Sequence, residues 1–269
     1  KLIKKSGYTP HTLVREGGAD VASAGDVAIL ALWLGVYGGY TEYLDDVARL
    51  VISRMVPSQI LESPALIPTI DESDKDEVHT SVSPDGRVSY LDCPKDIQQR
   101  IIGAYGISAG PHSGRISVTD VTSAVLQDMV EIYNHIVVKN EQGLTIYFHF
   151  DYEDENIKIN SVRAKQAIVK INVKEKDYLR MRVPGWTPRE SINLSIAGKP
   201  MTPKIINGFL HIPKDMLTGE IIFTYDLPVR KEIETAAGVD YELTWRGDEI
   251  IGICPNSDFY PFYPTGECD

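Results

Sequence analysis

The spacing of apolar residues divides the chain into two halves with different periods. In the first half the period is helical. Val27, Leu30, Ala31 and Leu34 recur at three- and four-residue intervals after Ser23 and Asp26, whose spacing is that of a capping box with Asp in place of Glu. Gly38-Gly39 predicts the stop of that helix. A second starts near Thr41, with Leu44, Val47, Val51 and Met55 on one face and Pro57 at its end. Two helices joined by a glycine turn predict an antiparallel hairpin. A third helix is expected after Pro94, through "KDIQQRIIGAY", and the glycine-rich "GISAGPHSG" reads as a connection. A fourth covers about 120 to 138, where Val121, Val125, Met129, Ile132 and Ile136 share a face. The polar stretch 57–93 reads as a loop insertion, with Pro84-Asp85-Gly86 turning a short hairpin between "EVHTSVS" and "RVSYL".

From Gln142 onward the period is two. Short runs such as "LTIYFHF", "IKINSV", "AIVKINVK" and "EIIFTYDL" are rich in β-branched and aromatic residues and are separated by Gly, Pro, Asn and Asp. That pattern predicts an antiparallel sandwich or jelly roll. The expected fold class is therefore α+β, with a helical part at 1–140 and a β-sandwich at 141–269. In "YLRMRVPGW" the alternation assigns Leu179, Met181 and Val183 to the core and Tyr178, Arg180 and Arg182 to the other face. Pro184-Gly185 ends that strand, and Trp186 is expected to clamp the sandwich edge.

Composition narrows the function. With 269 residues, 43% of them hydrophobic, the chain can bury a large core. A formal charge of −11 argues against nucleic acid and anionic membrane as partners, because both need a basic surface. No run reaches the ~20 apolar residues of a membrane-spanning helix. The absence of a signal peptide and of Met at Lys1 predicts a fragment or a processed product, and leaves the compartment unread. Cys93, Cys254 and Cys268 are too scattered for a disulfide framework or a CxxC metal site, and are expected as buried or incidental thiols.

The sequence has no GxSxG elbow, HExxH, P-loop or GxGxxG after a strand. Carboxylates remain as the candidate chemistry. Glycosidic cleavage commonly uses two acidic groups flanking one bond. Glu16, Asp20 and Asp26 surround the start of the first helix in "EGGADVASAG", and Asp120 stands at the start of the fourth. Each also has a structural explanation, as a helix cap or a dipole partner. Two helix starts preceded by glycine-bearing loops can place Asp20 and Asp120 at the same loop-lined mouth, where sites tend to gather.

"YLRMRVPGW…INLSIAGKPM…NGFLHIPKDMLTGEIIFTYDLPVR" resembles a pattern of the β-L-arabinofuranosidase-type glycoside hydrolases, family 127 and relatives. "WRGDEIIGICP" looks like the family's terminal Y-R-G-D strand. In the helical half "DVASAGDVAILALWLGVYGGYTEYLDDVARLVISRMVPSQI" resembles its E-x-C-x-x-x-D-M helix and the one after it, and "VTDVTSAVLQDMVEIYNHIVVKNEQGLTIYFHF" its G-C-C helix. The resemblance spans roughly residues 15 to 265. It implies the C-terminal part of an (α/α)6 toroid followed by β-sandwich modules.

It also implies a departure in chemistry. Family members use a zinc-bound cysteine nucleophile completed by a Glu and further cysteines. The Glu position falls here on Asp20, its partner Cys on Ala22 and the Cys-Cys pair on about Asp120-Val121. No thiolate remains, and two lone carboxylates would hold zinc weakly, so no metal or other cofactor is expected. The region of the family's general acid, "KLIKKSGYTP", has no carboxylate, which leaves three alternatives: Glu16 supplies one, a missing N-terminal half does, or nothing does.

The expected function is a glycoside hydrolase acting on plant or microbial polysaccharide or oligosaccharide, arabinose-containing ones included, with Asp20, Asp120 and Glu16 as its acids. Trp33, Tyr37, Tyr105 and His112 are the expected substrate-binding side chains, with core packing as their alternative role. The competing reading is a catalytically inactive carbohydrate-binding or structural relative. An incomplete toroid would expose apolar helix faces, predicting a homo-oligomer or association with a missing N-terminal segment.

Overall fold

A computed structural model describes residues 3–10, 21–61, 80–82, 88–90, 102–118, 121–256 and 260–267. Three α-helices are present among them: α1 (Val21–Val36), α2 (Tyr43–Leu50) and α3 (Val121–Asn134). Of the third helix expected after Pro94, 95–101 lie outside the described residues, and its end, Ile102 to Tyr105, is a turn followed by a β-bridge to Gln59. Ser23 and Asp26 lie within α1 and not at its cap. The two helices of the α1/α2 hairpin turn at Gly39, whose φ of +77° suits a residue without a Cβ. α2 runs on through one wider π-helical turn (Val51–Met55) and a 3-10 turn that holds Pro57. Leu44, Val47, Val51 and Met55 are buried, as their spacing predicts.

The buried face of α1 differs from the expected one. Val21, Ala24, Gly25, Ala28, Ala31, Leu32 and Gly35 face inward, whereas Leu30 is 58% exposed. The cause is close packing on small residues. A Cβ added to Gly35 would meet Leu44 Cδ2 at 2.5 Å, so α1 and α2 approach over glycine and alanine.

The strands follow in chain order. β1 (Thr80–Val82) and β2 (Val88–Tyr90) pair antiparallel on either side of Pro84-Asp85-Gly86, as the turn signal predicts. β3 (Gly106–Gly110) and β4 (Ser113–Val118) form a hairpin where the glycine-rich sequence suggested an irregular connection. Glycine weakens a strand without forbidding one, and β19 (Tyr260–Pro261) supplies β4 with a second neighbour.

The sandwich is built from β5 (Val137–Asn140), β6 (Gly143–Ile146), β7 (Tyr152–Glu153), β8 (Ile157–Arg163), β9 (Gln166–Val173), β10 (Leu179–Arg182), β11 (Asn193–Ile196), β12 (Lys199–Met201), β13 (Ile205–Ile206), β14 (Phe209–Ile212) and β15 (Ile221–Asp226). One sheet has the order β13-β14-β10-β6-β5 and the other β12-β11-β15-β9-β8-β7. All pairings are antiparallel except β10 with β6. Leu144, Ile146, Leu179 and Met181 from the first sheet and Val169, Ile171, Ile221 and Phe223 from the second are fully buried between the layers. Apolar residues of all three helices join the same core, so helices and sandwich pack as one body.

The last long strands stand apart from that sandwich. β16 (Val229–Ala236), β17 (Val239–Arg246) and β18 (Glu249–Cys254) make a separate three-stranded sheet. Its own core holds Leu243, Trp245, Ile250 and Ile253 with Ile60, Phe262 and Tyr263. Cys254 is disulfide-bonded, which corrects its expected role as an incidental thiol. Arg182 also departs from expectation, being 4% exposed. Its guanidinium is ion-paired with Asp45 of α2, its Nε donates to the Tyr147 carbonyl at 2.7 Å, and the Gly185 N–H donates to the second Asp45 oxygen at 2.8 Å. Trp186 packs at 5.9 Å from the Tyr225 ring and against Gly247, closing the sandwich edge.

Candidate functional site

Three cross-helix pairs fix how α1 and α3 lie. Gly25 sits against Asp128, Trp33 Nε1 donates to Glu131 Oε1 at 3.1 Å, and the Tyr37 hydroxyl bonds His135 Nε2 at 2.7 Å. Partners advance together along both chains, so the two helices run parallel. Val21 and Val121 therefore open them at the same end. Those are the residues that directly follow Asp20 and Asp120 in sequence.

Between the helices lies a cleft of about 680 Å³, lined by Asp26, Leu30 and Trp33 from one side and Leu126, Asp128, Val130 and Glu131 from the other. A Cβ on Gly25 would fall 2.0 Å from Asp128 Oδ2, so the glycine is what admits this carboxyl group against the backbone of α1. That oxygen is buried with no hydrogen-bond partner among the described residues. Burial, and then the neighbouring Asp26 carboxylate, push the Asp128 carboxyl up to about 6. Asp128 thus holds a proton at a pH where an ordinary Asp has lost it. His135 Nδ1 donates to the Glu131 carbonyl at 2.8 Å, which leaves Nε2 as the acceptor for Tyr37.

Glu16, Asp20 and Asp120 lie outside the described residues. Trp33 and Tyr37 are 48% and 71% exposed on or just past α1. At 1.5 Å per residue, however, Trp33 stands roughly 18 Å along the helix from Val21, and Tyr37 farther still. The structure does not bring these two rings to the helix starts. Tyr105 is 2% exposed, its hydroxyl directed at Met129 Sδ at 3.3 Å, so its faces serve the core. His112 is 3% exposed, wedged among the rings of Tyr8, Tyr241 and Tyr263. Burial and the Arg54 guanidinium push it down to about 3, which keeps it neutral. Both are packed too deeply to stack on a sugar.

Sequence reasoning missed Asp128 because nothing local marks it. It is one of two acids within α3, with Glu131, and only the glycine on another helix makes its position unusual. Among the described residues no group of three or more His, Cys, Asp or Glu gathers in a way that would hold a metal ion.

No family model matches the sequence, and no curated protein matches it. Solved structures do match the fold. A GH127 β-L-arabinofuranosidase from Geobacillus stearothermophilus superposes with a TM-score of 0.51 at 11% identity, over 93% of this chain and 40% of that one. A second GH127 β-arabinofuranosidase gives a TM-score of 0.53 at 12% identity, over 93% of this chain and 41% of that one. At such identity the likeness is one of fold. The chain spans about two fifths of the length of these structures.

Proposed function

We propose that the chain is the C-terminal portion of a glycoside hydrolase-like protein acting on plant or microbial polysaccharide or oligosaccharide, arabinose-containing ones included. The helices would belong to an (α/α)6 toroid, with 1–140 as the helical part and 141–269 as a strand-rich part that holds the β-sandwich and the separate sheet β16-β17-β18. The observation that carries this reading is the parallel pair α1 and α3, opening at one end directly after Asp20 and Asp120, within a fold similar to two GH127 structures. Two acids at that end would suit glycosidic chemistry, one protonating the leaving oxygen and the other serving as nucleophile or base. Glu16 is a further acid in the same stretch of sequence.

Hydrolysis of arabinose-containing oligosaccharides by Asp120→Asn should fall by several orders of magnitude with the circular dichroism spectrum unchanged. Full activity in that variant would remove Asp120 from the reaction.

A second reading is a carbohydrate-binding relative without catalysis. Ala22 on α1 stands where the resemblance puts a metal-binding cysteine, which favours it. Oligosaccharide binding by calorimetry with no product by chromatography selects this reading. Trp33 and Tyr37 lie too far from the helix starts to share a sugar ring with acids there, and belong to a different surface.

A further inference from the structure

A smaller cleft, of about 190 Å³, lies at the seam between the start of α2 and the sandwich. Thr41, Glu42 and Asp45 line it from the helical part, and Arg182, Arg189 and Asn207 from the sandwich. Its polar groups are held in advance. Arg182 is buried and still reaches the cleft. Its Nε donates to the Tyr147 carbonyl, Nη1 is ion-paired with Asp45, and the guanidinium carbon stands 5.7 Å from the centre of the Phe148 ring. Those contacts fix the guanidinium plane and leave Nη2 without a partner among the described residues. Asn207 stands on the turn between β13 and β14 at a φ of +49°, and the Val183 N–H donates to the Gly208 carbonyl at 2.8 Å, which ties that turn to the end of β10. Donors fixed before a ligand arrives lose little freedom on binding it.

The balance of charge selects the ligand. Asp45 neutralises Arg182. Arg189 and Glu42 bring one further charge of each sign, and neither has an ion-pair partner among the described residues. A cleft balanced in this way, on a molecule whose formal charge is −11, does not favour an anion. Its hydrogen-bonding capacity is mixed instead. Guanidinium N–H groups only donate, the Glu42 carboxylate only accepts, and the Asn207 amide and Thr41 hydroxyl do both. Hydroxyl groups also do both, so a ring that carries several in fixed directions can meet all of these partners. The volume equals roughly six water molecules at ~30 Å³ each, which is room for one such ring and no more. We propose that this cleft binds a single neutral sugar residue, whose hydroxyls accept from Arg182 Nη2 and Arg189 and donate to Glu42. Thr41 and Glu42 follow the far end of α1, a helix of 16 residues. At 1.5 Å per residue that end is roughly 22 Å from Val21, so a saccharide gripped here is held at the opposite end of the helix from the one Asp20 precedes. The ligand class agrees with the proposed function, but the assignment rests on the cleft's own groups and not on Asp20 or Asp120.

The test is a titration of the 269-residue chain, labelled with nitrogen-15, with the methyl glycosides of arabinose, xylose and galactose, and separately with galacturonic acid. At least one neutral glycoside should shift the amide resonances of Gly185 and Gly208, which border the cleft, and should saturate in the millimolar range. Galacturonic acid should bind more weakly than that glycoside. The double variant Arg189→Ala/Asn207→Gly should weaken binding by more than tenfold. Arg189 and Asn207 are exposed and glycine accepts a positive φ, so an unchanged melting curve verifies that this variant folds. Asp120→Asn should leave the shifts unaltered, so that loss of hydrolysis and loss of binding here are read separately. Absence of shifts at Gly185 and Gly208 with all three neutral glycosides would overturn the proposal. So would tighter binding of galacturonic acid, which would make the cleft a carboxylate site, or indifference of binding to the double variant.

Discussion

One carboxylate, Asp45, joins the helical part to the sandwich. It accepts from the Arg182 guanidinium and from the Gly185 N–H, at the point where β10 ends in Pro-Gly-Trp. Arg182 has no access to water to replace that partner. Asp45→Ala should therefore cost about 3 kcal/mol in urea unfolding, the lower end for a broken buried pair because Asp45 itself is partly exposed. Asp45→Asn, which keeps an acceptor for Gly185, should cost less. His112 supplies a second residue-level prediction. Its folded form is held at about 3, against 6.5 for an ordinary histidine, so the folded state refuses a proton that the unfolded chain accepts. Its contribution is fully present above about pH 6.5 and is lost as pH falls toward 3. His149, buried beside Tyr225 and also pushed down to about 3, acts in the same direction. His112→Leu should shrink the acid-side fall in melting temperature, with His149 maintaining the remainder.

At the scale of elements the α1/α3 contact is the most informative. Gly25 lets Asp128 lie on the α1 backbone, and the carboxyl is pushed up to about 6 by burial and Asp26. The sign is opposite to that of a salt-bridged Asp. The folded state keeps its proton longer than the unfolded chain does. The Asp128 contribution to stability is fully present below about pH 3.8 and is lost as pH rises through 6. Asp128→Asn should melt higher than the parent at pH 7 and match it near pH 4, with a modest gap because the group is partly solvated. A gap that does not vary with pH would place the effect elsewhere. The periodicity of α1 identified a helix but not which side of it is buried. Leu30 was the natural core residue by size, yet Gly25, Ala28 and Gly35 face inward because neighbouring elements approach too closely for anything larger. The hairpin β3/β4 was illegible for a related reason: its glycines weaken the strand signal, and β19, far along the chain, supplies part of the pairing.

For the molecule as a whole, one apolar core runs from the three helices into both sandwich sheets. Helical and sheet signals should thus disappear in a single cooperative transition, testable by comparing far-ultraviolet circular dichroism with calorimetry on the same sample. Two separated transitions, helices first, would show that the shared core does not couple the halves. The sheet β16-β17-β18 has a distinct core, and its strands give no sign in sequence of leaving the sandwich. Alternation reports that a strand has one buried face. It is silent about which layer buries it.

The sequence by itself determined the helices α1, α2 and α3, the inward set Leu179, Met181 and Val183, and the resemblance in fold to GH127 proteins. These follow from local period and turn chemistry, which adjacent residues carry. Only the tertiary structure decided that α1 and α3 run parallel, that Arg182 is sealed by Asp45, and that Tyr105 and His112 are buried. Each of those depends on contacts between residues tens to more than a hundred positions apart, where the identity of a side chain says what it can do and its neighbours determine what it does.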